Sequence, residues 1–264
     1  MKRKSLTLLA LGFAALLYGS STAVAQLSSF AVLGGSTVTN TNTPTIVTGN
    51  LGVSPGSAVT GFPPGIVIGT IHAADSVAAG AQTELTQLYT NLAHLQCNTV
   101  LTGTDLGGLT LTPGVYCFSS SAQLTGTLTL DGQGNSNALF VFQIGSTLTT
   151  ASASSVLLIN SASPCGVFWQ VGSSATLGTG TALAGNIVAL TSITLNTGAS
   201  LNGRALARNG AVTLDDNNVT VCSGGPGFPA SFIGSIPTLS GWAIIVLTGL
   251  LMLFGLAAMR RRTT

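Results

Sequence analysis

Residues 176–190, TLGTGTALAGNIVAL, align without a gap on residues 194–208, TLNTGASLNGRALAR. The match sets Leu183 on Leu201, Gly185 on Gly203 and Val188 on Leu206, so the chain returns to an equivalent environment at a fixed interval. An apolar-Thr-Leu triplet carries the period outward: Leu109-Thr110-Leu111, Leu128-Thr129-Leu130, Ala175-Thr176-Leu177, Ile193-Thr194-Leu195 and Val212-Thr213-Leu214, with Ser146-Thr147-Leu148 as a looser copy. The steps from Thr110 to Thr129, Thr129 to Thr147, Thr176 to Thr194 and Thr194 to Thr213 are nearly equal, and that from Thr147 to Thr176 is longer. The long step is one coil plus an excursion around Asn160-Ser161-Ala162-Ser163-Pro164-Cys165, a loop by composition.

A fixed period of this size marks a repeat architecture. It divides into three faces of about six residues, which gives a mainly β fold: a three-faced parallel β-solenoid of about 18 residues per coil. The residues flanking each triplet threonine point inward and the threonine points out. A β-sandwich, built from hairpins, would not produce a gapless period. One segment departs from β alternation. Ile71, Ala74, Ala78, Ala81, Leu85, Leu88, Leu92 and Leu95 follow three-four spacing, which predicts one long helix over about 71–96, packed along one face. Its length of about 39 Å matches about eight layers of coil. Residues 30–70 read as a first coil and a capping loop.

Only 5% of the 264 residues are charged against 45% hydrophobic. Six of the eight basic residues sit at the ends, and between Gln26 and Ser235 Arg204 and Arg208 face six acids, a net charge of −4. That excludes a nucleic-acid surface, which needs cations to displace counterions, and the apolar composition excludes disorder. Residues 1–25 read as a secretory signal: Lys2, Arg3 and Lys4, an apolar run from Leu6 to Leu17, and Ala23-Val24-Ala25 before a mature start at Gln26. After Cys222, residues 223–235 form a linker, and 236–264 a tail whose apolar stretch, about 242–259, is long enough to span a bilayer ahead of Arg260-Arg261-Arg262. The tail, opening Ile236-Pro237-Thr238-Leu239, resembles the IPTL-type sorting signals. That resemblance implies recognition by an exosortase-like processing enzyme and an exported domain on an inner-membrane tether that is removable. Four cysteines in the exported segment predict two disulfides. Of three possible pairings, Cys97 with Cys117 and Cys165 with Cys222 is favoured, one closing a local loop and the other tying the domain's end to its middle.

Catalytic chemistry has no candidate constellation. Glycoside hydrolysis needs two facing carboxylates, whereas Asp215-Asp216 sits in a turn-forming run. His72 and His94 fall within the expected helix, about 33 Å apart along its axis, and cannot share a metal. Arg204 and Arg208 read as surface or corner hydrogen-bonding groups. No cofactor and no metal are expected, and the domain is expected to be monomeric. What remains is threonine, in columns: Thr110, Thr129, Thr147, Thr176, Thr194 and Thr213, and Thr150, Thr179 and Thr197. A flat uncharged grid of methyl and hydroxyl groups offers little to a protein or sugar, yet suits the ordering of water at spacings close to those of ice.

Residues 30–65, 111–118, 124–150 and 185–215 resemble the ice-binding-like, antifreeze-type family, and the likeness runs over residues 27–222. It implies a right-handed solenoid with coils out of sequence order, a long helix on one face, and ice as the partner of another flat face. Some members carry Thr-Ala/Gly-x-Thr/Asn there. Here Thr197-Gly198-Ala199-Ser200 fits except at its last position, while Thr179-Gly180-Thr181-Ala182 and Thr150-Ala151-Ser152-Ala153 fit in two places. The expected ice-facing surface holds Thr150, Thr179, Thr181, Thr197 and Ser200, with Thr176, Thr194 and Thr213 beside it or on the adjacent face. The rival function is a surface-anchored adhesin or glycan-binding solenoid.

Overall fold

The computed structural model describes residues 26–41 and 44–222. The expected signal, linker and tail, including the apolar stretch 242–259, lie outside the described residues; among those described, no helix is long and apolar enough to cross a membrane.

Parallel strands stack in three ladders. The first, a separate seven-stranded sheet, runs in the order Ala122–Leu124, Leu148–Thr150, Ala175–Leu177, Ile193–Leu195, Val212–Leu214, Thr37–Asn40 and Ala58–Thr60; we call it the threonine ladder. The other two share a 15-stranded sheet, joined through the long strands Ala182–Ala189 and Ser200–Ala207. These fold from the third ladder to the helix-side ladder at Gly185 and Gly203, whose φ angles of 116° and 150° favour glycine. A Cβ at Gly203 would sit 1.9 Å from the Gly185 carbonyl oxygen. The gapless alignment therefore marks two stacked coils, and its aligned glycines mark a corner.

The expected period holds to within a few residues over much of the stack and fails in one part of it. In the threonine ladder Thr176 pairs with Thr194, one such period on. Gln123 pairs with Thr149 and Thr149 with Thr176, and both of those steps are nearly half as long again. The expected single excursion is two, 132–139 and 160–166, both at the corner where the other coils turn within one or two residues. Thr110 and Thr129 pair with each other in the third ladder, so the expected single column of triplet threonines spans two faces.

Residues 30–70 do more than begin and cap. They make two coils, and these follow the chain's last coil in the stack: Val32 pairs with Ala205, Val38 with Val212 and Ile46 with Asn218. Helix α1 (Gln26–Ser29) leads into them, and helix α2 (Ser76–Ala93) carries the chain back to the far end. The helix is shorter than expected because Ile71–Ala73 add a strand onto Leu51–Val53. Asp75 then caps α2, accepting the Ala78 N–H at 2.8 Å while its second oxygen meets His72 Nδ1 at 2.7 Å. Those contacts hold the Asp75 carboxyl below its ordinary range, the Ala78 hydrogen bond contributing most. Neither histidine is in the helix: His72 is in the preceding strand, and His94 follows as the C-cap.

Two apolar layers result. Inside the coils, Tyr116, Phe142 and Trp169 stack in register, with ring centroids 5.5 and 4.1 Å apart. Outside the helix-side ladder, Val141, Phe168, Val188 and Leu206 meet Ala81, Leu85, Leu88 and Leu92 of α2, each fully buried leucine contributing about 1.5–3 kcal/mol. Arg204 is in this region and not at the surface. Its guanidinium donates to the Ser28 carbonyl, Asn186 Oδ1 and Cys222 Sγ, and burial pushes its pKa down to about 10.

Both disulfides pair as the spacing favours, Cys97 with Cys117 and Cys165 with Cys222. The second closes a loop of 57 residues and should constrain the unfolded chain by about 4 kcal/mol, the first by about 3 kcal/mol. Replacing Cys165 and Cys222 by serine should lower unfolding stability by about that larger amount in denaturant titrations.

Candidate functional site

The threonine ladder builds its surface from a two-residue alternation. Leu124, Leu148, Ala175, Leu177, Ile193, Leu195, Val212, Leu214 and Val38 are buried, so each residue between them points outward. Register makes those outward residues one column: Gln123, Thr149, Thr176, Thr194, Thr213, Thr39 and Thr60. Six threonines stand in succession about 4.7–4.9 Å apart, and at one end Thr60 donates its hydroxyl to Thr39 at 3.2 Å. Two residues upstream on each strand runs a second row: Ser121, Thr147, Ser174, Ser192, Ala211, Thr37 and Ala58. The rows are about 6.6–6.8 Å apart. Neither holds an ionisable group or a side chain larger than threonine, Gln123 excepted.

At the corner beyond this column, four turns stack: Ser152-Ala153-Ser154-Ser155, Thr179-Gly180-Thr181-Ala182, Thr197-Gly198-Ala199-Ser200 and Asp215-Asp216-Asn217-Asn218. Their second residues all have positive φ, 58°, 67°, 72° and 54°, and each of the first three donates its N–H to the first residue of the next turn. The first residues form a ridge, on which the Asp215 carboxylate accepts the Thr197 hydroxyl. The third residues are buried and polar except Ala199. Thr181 and Thr150 hydroxyls meet at 2.8 Å, the Gly178 N–H donates to Thr150, and Asn217 donates to the Asn196 and Ala199 carbonyls. At the far end of the column Asp105 pairs with Gln123, and partial burial pushes its carboxyl up. Hydrogen bonds from the Thr125 hydroxyl and from the Gly107 and Thr125 N–H groups outweigh it, leaving the pKa below the usual range.

The structure thus separates the expected ice-facing residues. Thr150 and Thr181, 3% and 0% exposed, are corner interior and present nothing to the outside. Thr150 aligns with inward Leu124, and the turn in its coil starts at Ser152, two residues later than the sequence pattern suggests. Thr179 and Thr197 are exposed on the ridge, Ser200 begins the third ladder, and Thr176, Thr194 and Thr213 are the middle of the column. Sequence reasoning missed Thr149, Thr39 and Thr60. Alternation was visible in Ser36-Thr37-Val38-Thr39, but the triplet template demands an apolar third residue, and Thr150 and Asn40 occupy that place in two coils.

Two family models match the sequence: the ice-binding-like model over residues 32–220 and the IPTL-CTERM motif over residues 235–261. The chain belongs to the ice-binding-like family. It is 66% identical over 194 residues to an ice-binding protein of Nostoc sp. (strain HG1), covering 73% of this chain and 71% of that one. Among solved structures, an ice-binding protein from an Antarctic biological consortium superposes with a TM-score of 0.73 at 46% identity, covering 76% of this chain and 90% of its own. That of Antarctomyces psychrotrophicus gives 0.73 at 41% identity, covering 76% and 98%. The matched region therefore stands as a complete folded chain in a relative.

Because Thr181 serves the corner, Thr181→Val should cost about 1–3 kcal/mol, leaving Thr150 short of a buried partner. Calorimetry should show the lowered melting temperature, while retention on ice per folded molecule stays unchanged.

Proposed function

We propose that this is an exported, non-enzymatic ice-binding protein, wound as the right-handed three-faced solenoid its family resemblance implies, that adsorbs to ice through the threonine ladder and slows growth or recrystallisation. The observation that carries this reading is the uninterrupted column Thr149–Thr176–Thr194–Thr213–Thr39–Thr60, with its parallel row of small residues and no charge. A methyl and a hydroxyl at every layer, held by a rigid parallel sheet, order water at a fixed repeat. The relatives named above are ice-binding proteins, which supports ice as the ligand. The expected face built on Thr150, Thr181 and Ser200 gives way to this one.

Elimination favours the same face. Helix α2 covers the helix-side ladder. The third ladder carries exposed Leu157, Ile66 and Ile68, and a concavity of about 680 Å³ lined by Ala182, Ala184, Ser200, Asn202, Pro164 and Val221. A dished surface loses contact across its floor when laid on a crystal plane. The IPTL tail and the signal-like start support export with cleavage after Ala25 and a tether through residues 242–259 open to an exosortase-like enzyme.

Residues 26–222 should partition into a growing ice front; exclusion from it would overturn the proposal. Thr194→Tyr should cut ice retention by roughly an order of magnitude, because a ring standing proud of a flat face removes the neighbouring contacts outright. Ala182→Tyr, on the third ladder, should leave retention intact, and neither change should move the melting temperature appreciably. The opposite pattern between the two variants would place the ice face on the third ladder.

A further inference from the structure

The amino-terminal residues are held by two buried charges of opposite sign. Arg204 donates to the Ser28 carbonyl at 2.8 Å, and Glu84 of α2, only 7% exposed, accepts the Leu27 N–H at 2.9 Å. Leu27 itself is fully buried among Leu85, Leu88 and Phe168. The Gln26 side chain is seated against Gly80, where an added Cβ would come within 2.2 Å of Gln26 Oε1. The start of the described chain therefore has little freedom to swing away from the helix.

Glu84 lacks an obvious reason to be an acid if its task is to accept one backbone N–H, which a glutamine would do without the cost of burying charge. The backbone nitrogen of Gln26 is one residue upstream of the nitrogen that Glu84 already holds at 2.9 Å, hence no more than about 7 Å from the carboxylate given a spacing of about 3.8 Å between consecutive residues. In the precursor that nitrogen is a neutral amide. Hydrolysis of the Ala25–Gln26 bond adds water across it, leaving a carboxylate on Ala25 and an ammonium on Gln26. We infer that this new ammonium is the counter-ion of Glu84, so that maturation fastens the amino-terminal residues onto α2. The inference rests on the cleavage position in the proposed function. Opposite charges at this range favour both ionised forms, which offsets the burial that otherwise pushes the Glu84 carboxyl up.

The pairing has a chemical corollary. A free amino-terminal glutamine cyclises when its neutral amine attacks the side-chain Cδ, forming a new C–N bond and expelling the amide nitrogen as ammonia. An amine held protonated against Glu84 has no lone pair for that attack, so Gln26 stays open.

The test uses residues 26–222, the region that a relative shows as a complete folded chain, with three starts: a free Gln26, one extra glycine, and an acetylated Gln26. The free start should melt about 2–4 °C above the other two, the shift expected for a modest stabilising pair in a domain this size. In a Glu84→Gln background the three should coincide. If that variant fails to fold, the comparison in the native background still decides. Equal melting of the three native-background proteins would overturn the inference, as would a free-start protein lighter by one ammonia. Amino-terminal sequencing of the exported chain separates the two readings: a start other than Gln26 refutes the cleavage position, whereas a Gln26 start with equal melting refutes the ion pair alone.

Discussion

Parallel in-register stacking constrains everything else in this molecule. Each position in a coil meets its equivalents in the layers above and below at about 4.7–4.9 Å, so a residue type is chosen for a column and not for a site. Two like charges at that spacing repel by about 3–4 kcal/mol at an effective dielectric constant of about 20. The near-absence of charge thus has a structural cause before any functional one. The ionisable groups that do occur sit where stacking lapses or is answered: Asp75 at a helix cap, Asp131 and Asp215 at turns, and Arg204 beside Asn186. Threonine satisfies the same constraint with a β-branched side chain suited to a strand, and its repetition yields the regular grid at no further cost.

Stacking also explains the chain order. Phe30–Gly34 pairs with both Ser200–Ala207 and Asn50–Val53, so the last coil of the sequence has the first coil as its neighbour. Val219 is covered by Leu201 on one side and Val47 on the other. The last described strand, Asn218–Thr220, therefore exposes no edge of its own, which removes one template for unwanted pairing. Cys222 then joins Cys165 beside the third and helix-side ladders, and the described chain ends away from the threonine ladder.

How much of this the sequence disclosed follows from which positions repeat. The gapless pair of coils, the helix stripe from Ala78 to Leu92 and both disulfides were legible, because each is set by a local period or a small number of pairings. The column itself was only half legible. Its middle, Thr176, Thr194 and Thr213, obeys the apolar-Thr-Leu rule, but Thr149 and Thr39 are followed by Thr150 and Asn40. Those polar residues are tolerated inside because the corner supplies their partners: Thr181 and the Gly178 N–H for Thr150, Thr45 and the Gly61 carbonyl for Asn40. A rule based on hydrophobicity reads such positions as surface. The same blindness placed Thr181 outside and allowed Arg204 a place at the surface, since burial of a polar group depends on hydrogen bonds formed across coils.

Where the coils differ in length says which face must stay regular. Between the helix-side and threonine ladders every connection has two to four residues, and between the threonine and third ladders two to five. The connections from the third ladder to the helix-side ladder range from a single glycine to the eight residues 132–139 and the seven residues 160–166. The long insertions thus collect at the one corner the threonine ladder does not touch. Pro164 and Cys165 belong to one of these longer loops, and Pro164 lines the concavity of the third ladder. Insertions at either other corner would lift a rim beside the threonine column. A third face that can accumulate loops and a threonine face that keeps none describe a solenoid in which flatness is held on one side only, the side whose outward residues are the most uniform.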